Sequence, residues 1–486
     1  MEFKLFGQEL TTEDFGYGND VENGMDVADV IDGDEVSKEM DEIATEAYAV
    51  SAQMAFGAEV HENLVAQASF GEKLASQPEQ LSSSVVALAT ESFKSTAGLI
   101  GLTESDLGHV SDLTVESIEA SPVTSMELTT EAMKDTAKKI VEQIKGLWAK
   151  LVNGAKKLVM KAVVAFNNVG KVANKLESKI GKLTGEPKEL SKDDGKKLVS
   201  KLAAATITMG ENKLTPGVIE NLMEDLSGTK IVKLAEKFQE ELFNQKNIND
   251  LVAKIDTGDV KSVQDKVNSM YDTYKKIEEE SKLVAVGSKK IIEEFIKSDA
   301  YSAYIITRFD GTKISGIKVT LNSSGITGNI EKVVKLYKES DDSQEGKRKA
   351  MGVVFKLLKD TISFGTFSFQ IPENKYANIE VKVFSIDELK STSAKVTQAA
   401  VSLKGNMQSF ENLLKGLNKG MDEFIKRAEK EREYEAGVYL RKISTAANYG
   451  VTKLYIDGVY NYLYNVKNSL SVLNEMSKLY STDKSK

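Results

Sequence analysis

The sequence predicts a mainly α-helical protein, built from long amphipathic helices and coiled-coil packing, with a small α+β module inserted among them. Three observations carry this reading. Proline is scarce, five in 486 residues, in a text rich in Lys, Glu, Ala and Leu, so little interrupts extended helix. Apolar residues recur at steps of three and four over much of the chain, the period of a helix with one buried face. Only residues 301–385 combine strand-like alternation with turn dipeptides.

In chain order, residues 1–35 are rich in Asp, Glu and Gly, show little periodicity and read as disordered. Residues 36–70 and 78–93 read as helices, with Ile43, Tyr48, Met54 and Leu64 as apolar positions among Ala and Glu. Their apolar faces are thin, and such helices need a partner to order them. Gaps rich in glycine or hydroxyls follow at 98–102 and 121–125, the second reading as a flexible linker. From Thr130 the pattern changes. Ile140, Ile144, Leu147, Leu151, Ala155, Leu158, Ala162, Phe166, Val169, Ala173, Leu176, Ile180 and Leu183 form one stripe. It fits a single helix of about 50 residues, with Gly154 and Gly170 as candidate kinks and Pro187 as the end.

Residues 198–209 and 218–226 read as helices on either side of Leu214-Thr215-Pro216-Gly217. Val263, Val267, Met270, Tyr274 and Ile277 mark one face of a longer helix. Within the module, runs 304–309 and 313–319 flank Asp310-Gly311, a hairpin signal. Runs 366–371 and 378–383 alternate as a second strand pair around Pro372 and Asn374, with a helix expected over 348–358 between the hairpins. Val396, Ala400, Leu403, Met407, Phe410, Leu414, Leu417, Met421 and Phe424 then step 4-3 for four heptads. This is a coiled-coil seam, closed within the chain or between chains. Half of the sixteen tyrosines lie between Tyr434 and Tyr480 and read as core rather than as base-stacking platforms. The expected divisions are an acidic segment 1–131, a lysine-rich helix 132–186, a helical region 187–300, the module 301–385 and a C-terminal helical region 386–486.

Composition narrows the function. With no cysteine, disulfides, thiolate metal sites and thiol nucleophiles are excluded. His61 and His109 are the only histidines, too few for a histidine-rich metal centre, and each reads as an ordinary core or surface residue. Phosphate-loop, dinucleotide, zinc-protease and nucleophile-elbow motifs do not occur in the sequence, so no catalytic residue, metal or cofactor is expected. The start, MEFKLFGQEL, lacks the charge and apolar pattern of a secretory signal. Apolar runs are too short for a membrane span; the most apolar stretch, 158–166, is interrupted by Lys161.

The net charge of −9 conceals an opposition within the chain. Residues 1–131 hold 27 acidic residues against Lys4, Lys38, Lys73 and Lys94, a net of −23. The remainder holds 46 acidic and 60 basic residues, a net of +14. Such asymmetry fits an acidic pro-segment attached to a body that meets a polyanion. Twelve lysines fall between Lys134 and Lys182 against Asp135, Glu142 and Glu177. Lys138, Lys139, Lys145, Lys150, Lys156, Lys157, Lys161, Lys171 and Lys175 are candidate contacts to DNA phosphates, which lysines neutralise without reading sequence. A solvated helix face would carry the same lysines.

A short pattern recurs in the acidic segment: Glu followed by a small residue, with a small, aliphatic or Thr residue two positions before it. It occurs around Glu46, Glu91, Glu104, Glu116, Glu119 and Glu131. The Leu-Thr-Glu-Ser and Ser-Ile-Glu-Ala repeats, then Thr-Thr-Glu-Ala-Met-Lys and a long lysine-rich helix, resemble internal head proteins of large tailed bacteriophages over residues 36–185. In those families an acidic propeptide directs the protein into the prohead core, and the prohead protease cuts after Glu in such motifs. The resemblance implies cleavage after Glu91, Glu104 or Glu119, with Glu131 retained as a candidate because it marks the charge switch. It further implies residence in the capsid interior, association with packaged double-stranded DNA, and contact with prohead scaffold, core or portal proteins; self-association is left open. The leader is expected to offset the basic charge by folding over the basic surface until proteolysis separates them. Two other readings stay open. One is a membrane-active helical protein using 134–183, with Trp148 beside the stripe, as a basic amphipathic helix. The other is a virion-packaged effector enzyme acting through residues 301–385.

Overall fold

The stripe that begins at Ile140 forms the axis around which the other elements pack. The computed structural model describes residues 35–225, 229–280, 301–322, 326–340, 361–430 and 433–482, isolated positions between 343 and 357, and a tripeptide pair, Phe3–Leu5 against Gln8–Leu10. Of the stretch 1–35 expected to be disordered, the paired strands Phe3–Leu5 and Gln8–Leu10 depart from that expectation and Glu35 opens a helix, while the rest, with most of the helix expected over 348–358, lies outside the described residues.

The first four helices are α1 (Glu35–Ala75), α2 (Ser83–Leu99), α3 (Val115–Ala120) and α4 (Pro122–Ile180). Helix α4 contains 59 residues without a break at Gly154 or Gly170. It begins at Pro122, immediately after the extended Ser121, so the segment expected to be a flexible linker is the start of a helix. Proline suits the first helical position, where its missing N–H has no partner to lose. Burial of Ser125, Met126, Thr129 and Met133 then holds this first part in place.

The thin face of α1 is buried along α4. Met40, Ala44, Ala47, Val50, Met54, Ala58, Leu64, Val65 and Ala68 join the same core cluster as Ile140, Ile144, Leu151, Leu158 and Phe166. Alanines and Gly71 let the two backbones approach; a Cβ at Gly71 would meet the side chains of Met126 and Thr130. Glu72–Lys134, at 2.5 Å, and Glu39–Lys161 close the two ends, which makes the pair antiparallel. Each large buried side chain is worth about 1.5–3 kcal/mol over exposure, whereas a part-exposed ion pair contributes roughly 0–1 kcal/mol. Apolar contact therefore holds α1, and the charges only frame it.

Helices α5 (Lys192–Thr208), α6 (Pro216–Asp225), α7 (Thr229–Leu242), α8 (Gln245–Asp256) and α9 (Val260–Glu280) follow. The expected hairpin is present as β1 (Ser302–Asp310) and β2 (Lys313–Leu321), joined through Gly311 at φ +56°. Its turn reaches a break in α5 at Leu202, where the Ala204 N–H donates to the Gly311 carbonyl at 2.7 Å. Helix α10 (Ile326–Glu339) was not anticipated; with α8 and α9 it encloses a satellite core around Ile255, Val263, Ile330 and Val333. The second expected hairpin does not form. Its first strand is β3 (Ile362–Gln370), which pairs with β2 to give an antiparallel sheet in the order β1-β2-β3. Its second strand contributes only Glu380–Val381, paired in parallel with Lys213–Leu214. Residues Glu373–Tyr376 form a helical turn after Pro372, carrying the chain away from the sheet.

Helix α11 (Ile386–Lys430) carries the seam. Val396, Ala400, Phe410, Leu414, Leu417, Met421 and Phe424 are buried within the chain; the side chains of Leu403 and Met407 lie outside the described ones. The remaining chain is one continuous helical rod: α12 (Glu433–Thr445), a π-helical segment Ala446–Ile456, and α13 (Asp457–Ser477). Tyr455, Tyr460, Tyr462 and Tyr480 are buried in it or just beyond it.

Candidate functional site

The candidate DNA-contact lysines divide by their phase on α4. Lys139, Lys150, Lys157, Lys171 and Lys175 are separated by 11, 7, 14 and 4 residues, spacings that return to one helix face. At 1.5 Å per residue this row is about 54 Å long. All five are exposed. Lys150, Lys157 and Lys171 make no ion pair among the described residues, while Lys139 reaches the Asp106 carbonyl at 3.4 Å. Between Glu142 and Glu177 the helix has no acidic residue.

A second row is drawn toward its neighbours. Lys138 pairs with Asp135 at 3.2 Å, and Lys145 with Glu429 of α11 at 2.7 Å. Lys145 and Lys156 border a groove of about 410 Å³ between α4 and α11, shared with Asp422, Lys426 and Glu429. Trp148 is buried against α11, its indole N–H donating to Asn418 at 3.0 Å. Lys161 is engaged by Glu39. Lys138, Lys145 and Lys156 thus form a second row, whereas Lys161 shares the phase of the outward row but turns to Glu39 of α1; Lys150, Lys157 and Lys171 face outward without an ion pair among the described residues. Residues 35–131 pack mainly on the apolar stripe, because the thin face of α1 matches the stripe rather than the charges; of the outward row they meet Lys139, through the Asp106 carbonyl.

The candidate cleavage positions differ in how readily their chain could extend into a protease. Glu91 lies inside α2 and Glu131 inside α4, both exposed but within hydrogen-bonded helix. Helix α2 is tied to α4 by the buried Thr90–Thr129 hydroxyl pair at 3.0 Å. Glu104 starts a single 3-10 turn, Glu104–Asp106, in the connection over residues 100–114. That turn is held by Thr103, whose N–H and hydroxyl donate to Asp106 at 2.8 and 2.7 Å. These bonds also hold the Asp106 carboxyl below its usual pKa. Glu119 is exposed one residue before the end of α3 at Ala120, and Ser121 alone separates α3 from α4. Glu104 and Glu119 thus offer the least helix to unwind.

Sequence reasoning missed a buried polar junction where α1 meets β1 and the rod. Asp457, at the start of α13, is 1% exposed. It accepts from the Tyr48 hydroxyl of α1, from Thr307 at 3.2 Å and from Lys453 at 3.3 Å. Arg308 stacks 4.9 Å above the Tyr460 ring and pairs with Asp310 at 3.2 Å. Asn461 accepts from the Phe309 N–H at 2.7 Å and from Asn465 at 2.9 Å. Burial, then the Asp457 charge, raises the Tyr48 pKa; burial, then Asp41, raises that of Tyr460. The available signal was the four-residue spacing of Asp457, Asn461, Asn465 and Ser469, a polar line along one face of the helix.

A second missed feature lies between α1 and α12. His61 is 2% exposed, and burial lowers its pKa to about 4. Glu62 beside it pairs with Arg441, whose pKa burial lowers to about 10. A cavity of about 430 Å³ opens next to this pair, walled by α1, α9, β3 and α12. Met270, Tyr274, Phe364 and Tyr449 give it an apolar side, and Glu59, Glu62, Arg441 and Lys442 a charged one. Among the described residues no cluster of three or more His, Asp or Glu could hold a metal ion, and no helix is long and apolar enough to cross a membrane. Comparison with known proteins finds no matching family model, no matching curated protein and no matching solved structure.

Proposed function

We propose that the chain is a non-enzymatic internal head protein of a tailed bacteriophage, in which the outward lysine row of α4 contacts packaged duplex DNA and the acidic segment is cut by the prohead protease. One observation carries the DNA part. Five lysines line one exposed face over about 54 Å, with no acidic residue on α4 between Glu142 and Glu177. Such a row meets phosphates along the duplex without reading bases. Its exposure does not require removal of α1. The cut reading is supported by the Glu motifs and favours Glu104 and Glu119, which lie where helices end. In this role the protein resides in the capsid interior and meets the scaffold, core or portal proteins during assembly. The membrane-active alternative draws less support, because the apolar stripe it needs is buried against α1 and α11.

Lys150, Lys157 and Lys171 replaced together by Glu test the reading. Duplex binding by the wild type should weaken with salt at a slope set by about 0.9 per phosphate contact, and the triple variant should lose roughly three of those contacts. A control reversing Lys254, Lys335 and Lys390, exposed on other helices, has the same net charge. Equal losses in the two variants would reject the row as the DNA face.

A further inference from the structure

We infer that the leader is not discarded when it is cut: α1 stays seated as a noncovalent subunit, so that the processed protein is a two-chain complex. The inference takes the place of the cut from the proposed function and the rest from geometry. Hydrolysis of the Glu104–Ser105 bond adds one water and leaves a carboxylate on Glu104 and an amine on Ser105; no contact of α1 is broken.

Apart from its contact with α2, which lies on the same side of the cut, the surface that receives α1 is built from residues beyond that bond. The stripe of α4 covers Met40, Met54 and Leu64, which are completely buried. At its outer edges Lys161 and Lys134 take Glu39 and Glu72. From the rod, Asp457 takes the Tyr48 hydroxyl, Lys453 lies 4.8 Å over the Tyr48 ring, and Arg441 takes Glu62. This is a groove for an acidic amphipathic helix with a narrow alanine-rich face, a helix-in-groove mode of recognition. It is specific because Asp457, Lys453 and Arg441 are largely buried and would lose a partner if α1 departed. The π-helical segment between α12 and α13 brings Lys453 and Asp457 to the same side as α1, and such segments recur where a helix is adapted to a site.

The test uses the full chain. A recognition sequence for a site-specific protease is inserted after Glu104, the purified protein is cut to completion, and the products are run on size exclusion in native buffer and in urea. Residues 1–104 are expected to elute with the remainder in one-to-one ratio in native buffer and to separate only in urea. Separation in native buffer would overturn the inference. Tyr48→Phe, cut in the same way, should release the leader fragment about ten- to a hundredfold more readily, the effect of losing a hydrogen bond to a buried charge; unchanged release would overturn the part assigned to Asp457. Failure of the lysine-row test leaves the retained helix standing, and separation of the fragments leaves the lysine row standing, so the two readings fail independently.

Discussion

Replacing His61 by leucine isolates the acid response of one buried imidazole from that of the rest of the molecule. The ring is 2% exposed between α1 and α12, beside the Glu62–Arg441 pair, and its Nδ1 has no hydrogen-bond partner among the described residues. Burial lowers its pKa from 6.5 to about 4. The native state therefore keeps the ring neutral, while the unfolded chain protonates it at the ordinary value. As pH falls below 6.5 the unfolded state binds more protons than the native one. The contribution to stability is complete above that pH and is lost progressively down to about 4. The full loss is about 3 kcal/mol, of which about 2 kcal/mol is reached near pH 5. Urea unfolding near pH 7.5 and near pH 5, followed through Trp148 fluorescence, measures it. Leucine removes the titration and leaves an apolar side chain of similar size, so His61→Leu should lose about 2 kcal/mol less than the wild type between the two conditions. Equal acid losses in the two proteins would refute a neutral, buried His61 and with it the tight seating of α1 on α12.

Two further outcomes follow from the same packing. Expressing residues 132–486 alone removes α1, α2, α3 and the first ten residues of α4 and uncovers the stripe from Met133 to Ile180; this fragment should bind a hydrophobic dye strongly and self-associate on size exclusion, whereas a compact, dye-negative monomer would contradict the role of α1 as core. Gly316→Ala places a Cβ against the backbone carbonyl of Ile305 on the neighbouring strand; because backbone cannot swing aside, the cost should be about 2 kcal/mol or more in a urea melt, and an unshifted midpoint would show that the strands can part.

The helical class, the long α4 stripe, the Asp310-Gly311 hairpin and the buried 396–424 seam were legible because each rests on a local period or a turn dipeptide. The second hairpin was misread for a physical reason. Alternation in 378–383 marks residues that face two ways, but it does not say which edge they meet, and Glu380–Val381 meet Lys213–Leu214 from a distant part of the chain. The linker at 121–125 was misread because proline between serines resembles a break, whereas at a first helical position it starts a helix. The lysine spacing was legible as helix phase, but which lysines are paired was not, since that depends on α11 placing Glu429 beside Lys145. The Asp457 junction showed in the sequence only as a four-residue polar spacing, and its partners could not be named from it, because Tyr48, Thr307 and Lys453 come from three separate elements.

The charge opposition and the packing carry different information, and their magnitudes show which one positions the leader. A net of −23 against +14 suggests that attraction holds the leader to the body. Yet exposed charges are screened within about 10 Å at moderate salt, and the ion pairs Glu39–Lys161 and Glu72–Lys134 that link α1 to α4 are part-exposed. The apolar side chains of α1 outweigh those pairs several-fold. Charge therefore decides what the outer surface attracts, and apolar shape decides where α1 sits. Because α1 uses the stripe and not the lysine row, both surfaces of α4 can be occupied at once, one by the leader helix and the other by a polyanion.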